Sequence, residues 1–379
     1  MKPKRQTIHF DKTLIDKDAQ KVVKTLNKAG HEAYLVGGCI RDLLLGYKPK
    51  DFDIATCATP EQVHQIFKRS RLIGRRFRLV HIMFSSRKYI EVATFRSGKV
   101  KTAGNGVIVR DNLYGTLKED AFRRDFSVNA LYYDIQNSQV IDYVDGLKAL
   151  NNSEIRMIGN PVERFKEDPV RMIRAIRFKV KLGATIDPKI SKSISNQAYL
   201  LANIPAARLY DECIKLFHNE NAYEVFEQLV KCGLLNYLFP QTEETSFINK
   251  TLLNTSKRIK NGKPVTPAFL FAVFLWEAQN KRFNELNKKK KSRFLTMTQA
   301  SEDVISKQTK QVLMPRWLSN RVKDVWLMQY QLEGCSQKKA NELIVHPRFR
   351  MAYDFLVLRS ESINPELAER AKYWTKLQQ

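Results

Sequence analysis

The chain has 379 residues, 43% of them apolar, so it is long for one domain and can bury more than one core. Its 65 Lys and Arg outweigh 39 Asp and Glu, and the resulting net charge of +26 runs along the whole chain. That excess points to a polyanionic partner, nucleic acid ahead of an acidic membrane. No apolar run approaches the ~18 residues of a membrane span. The basic start MKPKRQTIHFDKTLIDKD lacks the apolar centre of a signal peptide. The five cysteines are scattered, without a C-x-x-C pair or a Cys/His cluster. Together these features predict a cytoplasmic protein with reduced thiols and no membrane association.

In chain order, residues 11 to 30 carry Leu14, Ala19, Val22, Val23 and Leu26 at helical spacing, with Gly30 as the stop. EAYLVGG reads as a strand meeting a tight Gly-Gly turn, and CIRDLLLG as a short helix closed by Gly46. DFDIAT is a second strand. TPEQVHQIF opens a helix with Thr59 as cap and Pro60 at its first position. FRLVHIMF and KYIEVATF are rich in β-branched and aromatic residues, and the short SSR between them predicts a hairpin. A glycine-bearing loop is predicted over 96–112. VNALYYDI then reads as helix turning into strand, and QVIDYVDG as strand. Beyond about residue 150 strand signals fade. DPVRMIRAIRFKVKLG, AARLYDECIKLF, YEVFEQLVKCGLL, PAFLFAVFLWEAQ and PRWLSNRVKDVWLMQYQL all have helical periodicity. The expected fold class is therefore α+β. An α/β head over 1–150 is followed by all-helical segments, which FPQTEETS divides into 151–240 and 241–379.

KPKDFDIAT sets Asp51 and Asp53 on one face of the predicted strand, with Phe52 and Ile54 turned into the core. Two such charges about 4 Å apart repel by ~4 kcal/mol at an effective dielectric near 20, which a bound cation relieves. Oxygen donors of this kind suit Mg²⁺, which completes its shell with water and substrate phosphates. Glu91 in KYIEVATF alternates with Ile90 and Val92, so a neighbouring strand can bring it beside the pair. Alone, D-x-D describes many solvated turns. Upstream, however, VGGCIRD places Gly37 and Gly38 at a strand-to-helix junction where a phosphate can approach backbone N–H groups, with Arg41 one turn on. No G-K-[ST] element is present. A glycine cradle beside a carboxylate pair describes a nucleotide site for phosphoryl transfer.

These residues carry a family resemblance. LVGGCIRDLLLGYKPKDFDIATCATPEQV resembles the signature of the class II nucleotidyltransferases of RNA 3′ ends, the tRNA CCA-adding enzymes and bacterial poly(A) polymerases. RRDFSVNALYY (123–133), DYVDGLKAL (142–150), EDPVRMIRAIRF (167–178) and ARLYDECIKL (207–216) follow in the family's order. Within the family, IGRRFRLVHIMF, PAFLFAVFLW and HPRFRMAYDFLVLRSE resemble the poly(A) polymerase branch. The long basic C-terminal tail common in that branch has no counterpart after YWTKLQQ, and no His-Asp phosphohydrolase motif is present.

The resemblance implies a nucleotidyltransferase-fold catalytic head, a neck that selects the base and a body that binds RNA. It implies addition of AMP from ATP to RNA 3′ ends, with two Mg²⁺ held by Asp51 and Asp53 and assisted by Glu91. Asp125 joins them as an active-site carboxylate and, with Asn129, meets the ribose. Gly37, Gly38 and Arg41 meet the nucleotide. Asp168 and Arg171, one helical turn apart, offer an acceptor and donors to a base edge. Arg174 and Arg177 continue that stripe, and Arg177 reads equally as part of a solvated face. On the same helices Val170, Ile173, Ile176 and Val180 face a core. Arg208, Glu212 and Lys215 share a helix side suited to neck packing. Trp276, Trp317, Trp326 and Trp374 are expected in cores. A monomer acting on single-stranded or tRNA-like RNA ends follows. CCA addition to tRNA is the rival enzyme reading; a catalytically silent RNA-binding protein is the rival from another class, and a repulsive carboxylate cluster argues against it.

Overall fold

The computed structural model describes residues 2–11, 13–74, 78–86, 88–97, 101–102, 108–110, 113–287, 292–334 and 336–378. Most of the expected 96–112 loop, the RRF of IGRRFR and the lysine run of NKKKKSRF lie outside them. The chain divides into two compact units. The first comprises residues 1–171 and 182–193, the second 172–181 and 194–379.

The first unit is built on eight strands: β1 (Lys4–Thr7), β2 (Ala33–Val36), β3 (Asp53–Thr56), β4 (Ser70–Ile73), β5 (Leu79–Met83), β6 (Tyr89–Thr94), β9 (Leu131–Asp134) and β10 (Gln139–Asp142). Between β6 and β9 lie the small strands β7 (Lys101–Thr102) and β8 (Ile108–Arg110), which pair only with each other. The sheet order is β1-β10-β9-β2-β3-β6-β5-β4. Every neighbouring pair is antiparallel except β3 and β6, which run parallel. Period-2 alternation sorts the side chains. Leu35, Ile54, Val80, Val92 and Val140 pack in one core with Val22, Val23 and Leu26 of α1 (Lys17–Lys28). The opposite face carries a smaller cluster, Val36, Ala55, Phe95, Tyr132 and Ile141, and beside it the carboxylates described below.

Helices α2 (Gly38–Leu44), α3 (Pro60–Ile66), α4 (Leu117–Arg123), α5 (Gly146–Asn151) and α6 (Pro161–Glu167) connect and flank the strands. α3 starts as its sequence demands: the Thr59 hydroxyl accepts from Gln62 N–H at 3.2 Å, the Gln62 amide returns to Thr59 N–H at 2.8 Å, and Pro60 opens the first turn. The expected hairpin joins β5 and β6. Several elements differ from expectation. β3 begins at Asp53, so Asp51 sits in the turn before it, although exposure still alternates from Asp51 to Ile54. β1, β4 and α4 were not foreseen. Strand structure also persists past residue 150, where β11 (Glu154–Ile155) pairs in parallel with β12 (Thr185–Ile186).

The second unit is helical. α7 (Val170–Lys181) runs into it; α8 (Pro188–Gln197) precedes α9 (Ala206–Phe217), α10 (Ala222–Lys231), α11 (Leu235–Leu238), α12 (Ser246–Lys260), α13 (Pro267–Phe274), α14 (Trp276–Asn287), α15 (Arg293–Gln311), α16 (Arg316–Gly334), α17 (Gln337–Ile344), α18 (Phe349–Ser360) and α19 (Ala368–Leu377). α13 is apolar on all sides and correspondingly buried. Phe271 and Phe274 meet Phe217 and Phe239 in edge-on or tilted contacts with centroids 4.9–5.3 Å apart. Trp276, Trp326 and Trp374 are buried as expected. Trp317 is not: it is 45% exposed, with the Arg321 guanidinium 5.2 Å from its ring centre. It stands in the first turn of α16, where Leu318 takes the inward position. No described helix is long and apolar enough to cross a membrane.

Candidate active site

The strand register assembles the carboxylates. Asp53 opens β3 directly beside Glu91 of β6, as the alternation in KYIEVATF predicts. Crowding by surrounding protein atoms pushes the Asp53 carboxyl up to about 6; Glu91 adds to this, Arg124 opposes it and Asp51 contributes a little more. Asp53 still meets solvent, so the desolvation is that of an open strand start. A cation placed among these oxygens would remove the repulsion, so the donor set fits a hard metal ion. Among the described residues no group of three or more His, Cys, Asp or Glu side chains is placed to hold a metal ion by itself.

The glycine turn lies against the same group. Gly37 has φ +81° and ψ −129°, a conformation that side chains strain to adopt, and a Cβ there would lie 3.5 Å from Arg124 Nη1 and 3.6 Å from the Asn129 carbonyl. Arg41, expected to reach the phosphates of a bound nucleotide, is turned into the protein. It is 3% exposed; Nη1 donates to Asn129 Oδ1 at 2.6 Å, and Nε and Nη2 donate to Asp42 Oδ1 at 2.9 and 2.7 Å. Asn129 in turn points its amide toward Asp125 Oδ1 at 3.5 Å, and that oxygen accepts the Phe126 N–H at 2.8 Å. Arg41 thus orients Asn129, which lies in the 3₁₀ turn Ser127–Asn129. α5 clamps that turn: a Cβ on Gly146 would stand 2.3 Å from the Ser127 carbonyl oxygen. The buried Asp142 carboxylate accepts from the N–H groups of Val144, Gly146 and Leu147, which gives the DYVDG motif a structural job.

Residues that the sequence did not single out complete the arrangement. Arg124 donates Nε to Asp120 Oδ2 at 3.1 Å and to the Tyr132 hydroxyl at 3.0 Å, while that hydroxyl donates to Asp120 at 2.7 Å. Burial raises the Asp120 carboxyl, but Arg124, then Arg123 and Tyr132, outweigh it and hold the group below its usual range. Arg164 on α6 donates to the backbone carbonyls of Arg123 and Arg124, at 2.8 Å to the latter, and fixes the loop that carries Asp125. Arg123 and Arg124 are visible in RRD only as charge; Arg164 has no local signal at all.

Asp168 caps α7 by accepting from Val170 N–H at 3.2 Å. The Arg171 guanidinium turns instead to Glu167, 2.8 Å away, and to the Arg164 carbonyl. The expected Asp168–Arg171 contact therefore gives way to one with the last turn of α6. Val170, Ile173 and Ile176 are buried and Val180 partly so. Arg174 and Arg177 belong to the second unit, where each lies over the Phe178 ring, at 5.4 and 5.0 Å. Glu212 and Lys215 form an ion pair at 3.3 Å on α9, and Arg208 is exposed.

Three families match the chain: "Poly A polymerase head domain" over residues 33–156, "Probable RNA and SrmB- binding site of polymerase A" over 183–245, and "Polymerase A arginine-rich C-terminus" over 276–379. The chain is 44% identical to Poly(A) polymerase I of Escherichia coli O6:H1, over 96% of this chain and 83% of that protein. It is 40% identical to Poly(A) polymerase I of Haemophilus influenzae, over 100% and 90%. A CCA-adding enzyme of Lactobacillus johnsonii matches at 37% over 56% of this chain and 53% of that one. Among solved structures, the Bacillus stearothermophilus CCA-adding enzyme in complex with CTP superposes with a TM-score of 0.67 at 25% identity, covering 95% of this chain and 82% of that one.

Proposed function

The chain belongs to the bacterial poly(A) polymerase family, and on that premise we propose that it adds AMP from ATP to RNA 3′ ends without a template, releasing pyrophosphate. The observation that supports this most is the pairing of Asp53 with Glu91 beside the Gly37 turn, inside a chain matched along its length by poly(A) polymerase I proteins. Asp51 and Asp53 are the residues that would hold Mg²⁺, with Glu91 beside them. Two such ions, when bound, supply a lowered pKa at the RNA 3′-hydroxyl and charge stabilisation at the leaving pyrophosphate.

The remaining roles fall to the protein. The Gly37–Gly38 turn leaves room for the triphosphate to approach backbone N–H groups. Asp125 and Asn129 receive the ribose, with Arg41 holding Asn129 in place as a positioning residue. Asp168 and Arg171 select the base. Arg171 must then exchange its Glu167 partner for the base edge, while Arg174 and Arg177 extend the donor stripe. We assign the catalytic head to 1–150, the base-selecting, RNA-binding neck to 151–240 and the RNA-binding body to 241–379. The setting inferred is a cytoplasmic monomer in RNA processing and turnover. Incorporation of labelled AMP into an unstructured primer by the purified protein with Mg²⁺ and ATP tests the reading. Failure of ATP to extend the primer, with the protein folded, would overturn it.

A further inference from the structure

Four side chains form a polar row straight across the sheet. Asp53 on β3 is registered with Glu91 on β6, Glu91 with His81 on β5, and His81 with Arg71 on β4. Registered side chains share a face, so the row leads from the candidate active site to the outer edge of the sheet. Tyr89 stands two residues before Glu91 on the same face, about 7 Å along the strand. Its ring is stacked on the His81 imidazole, with centroids 4.0 Å apart and planes within 14°, while His81 Nε2 faces Glu91 at 3.5 Å. Yet Tyr89 remains 49% exposed. An aromatic ring with one face covered by imidazole and half its surface in water has the form of a base-stacking platform, and exposed Arg71 supplies positive charge beyond it. The carboxylate row fixes where the RNA 3′-hydroxyl must arrive; the base on the same nucleotide then lies within one nucleotide's reach of it, which is where Tyr89 stands.

We propose that Tyr89, backed by His81, is the seat on which the 3′-terminal base of the RNA primer stacks. The platform rests on the polyadenylation reading for its ligand, but its test does not require turnover. His81 has two tasks here: it stiffens the platform and ties it to Glu91, so the seated base and the carboxylates keep a fixed spacing. A stacking seat accepts any base, as a polymerase that reuses its own product end requires.

A primer with 2-aminopurine at its 3′ end reports stacking by fluorescence quenching, without ATP or Mg²⁺. We expect Tyr89→Ala to weaken primer binding roughly tenfold and abolish the quench, with Tyr89→Trp restoring both. A primer abasic at its last position should lose a similar factor with the native protein and nothing further with Tyr89→Ala. In turnover, Tyr89→Ala should raise KM for primer and leave KM for ATP unchanged. Native quench and affinity in folded Tyr89→Ala overturn the proposal, as does equal binding of abasic and intact primers by the native protein. A rise in KM for ATP with primer binding intact would also overturn it, assigning the platform to the incoming adenine. If the native protein quenches the primer but never extends it, the stacking proposal stands and the polymerase reading falls.

Discussion

Two constraints meet at Asp53: the strand register that aligns it with Glu91, and the crowding that, with the Glu91 charge added, raises its carboxyl to about 6. If it is a metal ligand, its removal forfeits several kcal/mol of transition-state charge stabilisation. Asp53→Ala should then lower AMP incorporation at least about a hundredfold, with RNA affinity little changed. A loss of only a few-fold at saturating Mg²⁺ would exclude the ligand role. Asp120 acts differently, as the buried partner of Arg124 and Tyr132. Asp120→Ala leaves the Arg124 charge without its partner and should cost about 3–5 kcal/mol of stability, read by urea unfolding. The same pair sets an acid limit. The Asp120 carboxyl titrates lower in the fold than unfolded, so its contribution is complete above the unfolded pKa of about 4 and fades as pH falls below it. Native protein should lose stability over that range more steeply than Asp120→Asn; parallel pH profiles would show that Asp120 does not carry the effect.

At the scale of elements, the site depends on how tightly the turn at Ser127–Asn129 is held. Gly146→Ala would force a methyl to within 2.3 Å of the Ser127 carbonyl, so α5 or the turn must move. Overpacking of this kind costs about 1–3 kcal/mol, and the displaced Asn129 should raise KM for ATP; unchanged melting and KM would show the clamp to be dispensable. Sequence reasoning reached much of this level. β3, α3 and the β5–β6 hairpin have strong local signals: alternation in FDIA and YIEV, and the Thr59-Pro60-Gln62 start. That alternation allows Glu91 to share a face with Asp53, and the register of β3 with β6 sets the two side by side. β1 and β4 escaped because edge strands need no alternation; Lys4–Thr7 is exposed throughout and Ser70–Ile73 nearly so. Arg41 is singled out by the sequence as a nucleotide contact, but its inward turn is not legible there, because its partner Asn129 comes 88 residues later. The Asp120–Arg124–Tyr132 group and Arg164 are likewise products of tertiary folding.

Across the whole molecule the net charge of +26 predicts that RNA is held mainly by its phosphates. Binding through phosphates releases counterions, so log Kd should rise linearly with log salt, by about 0.7 per phosphate neutralised on a single strand. An affinity insensitive to salt, or one confined to a single RNA sequence, would contradict phosphate-dominated grip. Charge does not decide which nucleotide is added. The deciding measurement supplies the purified protein with Mg²⁺ and each NTP separately and together, on an unstructured primer and on a tRNA lacking its CCA end. Poly(A) synthesis predicts a long, heterogeneous ladder on the primer with ATP alone and poor use of CTP. Two additions from CTP and one from ATP on the tRNA, followed by arrest, would contradict it and establish CCA addition instead.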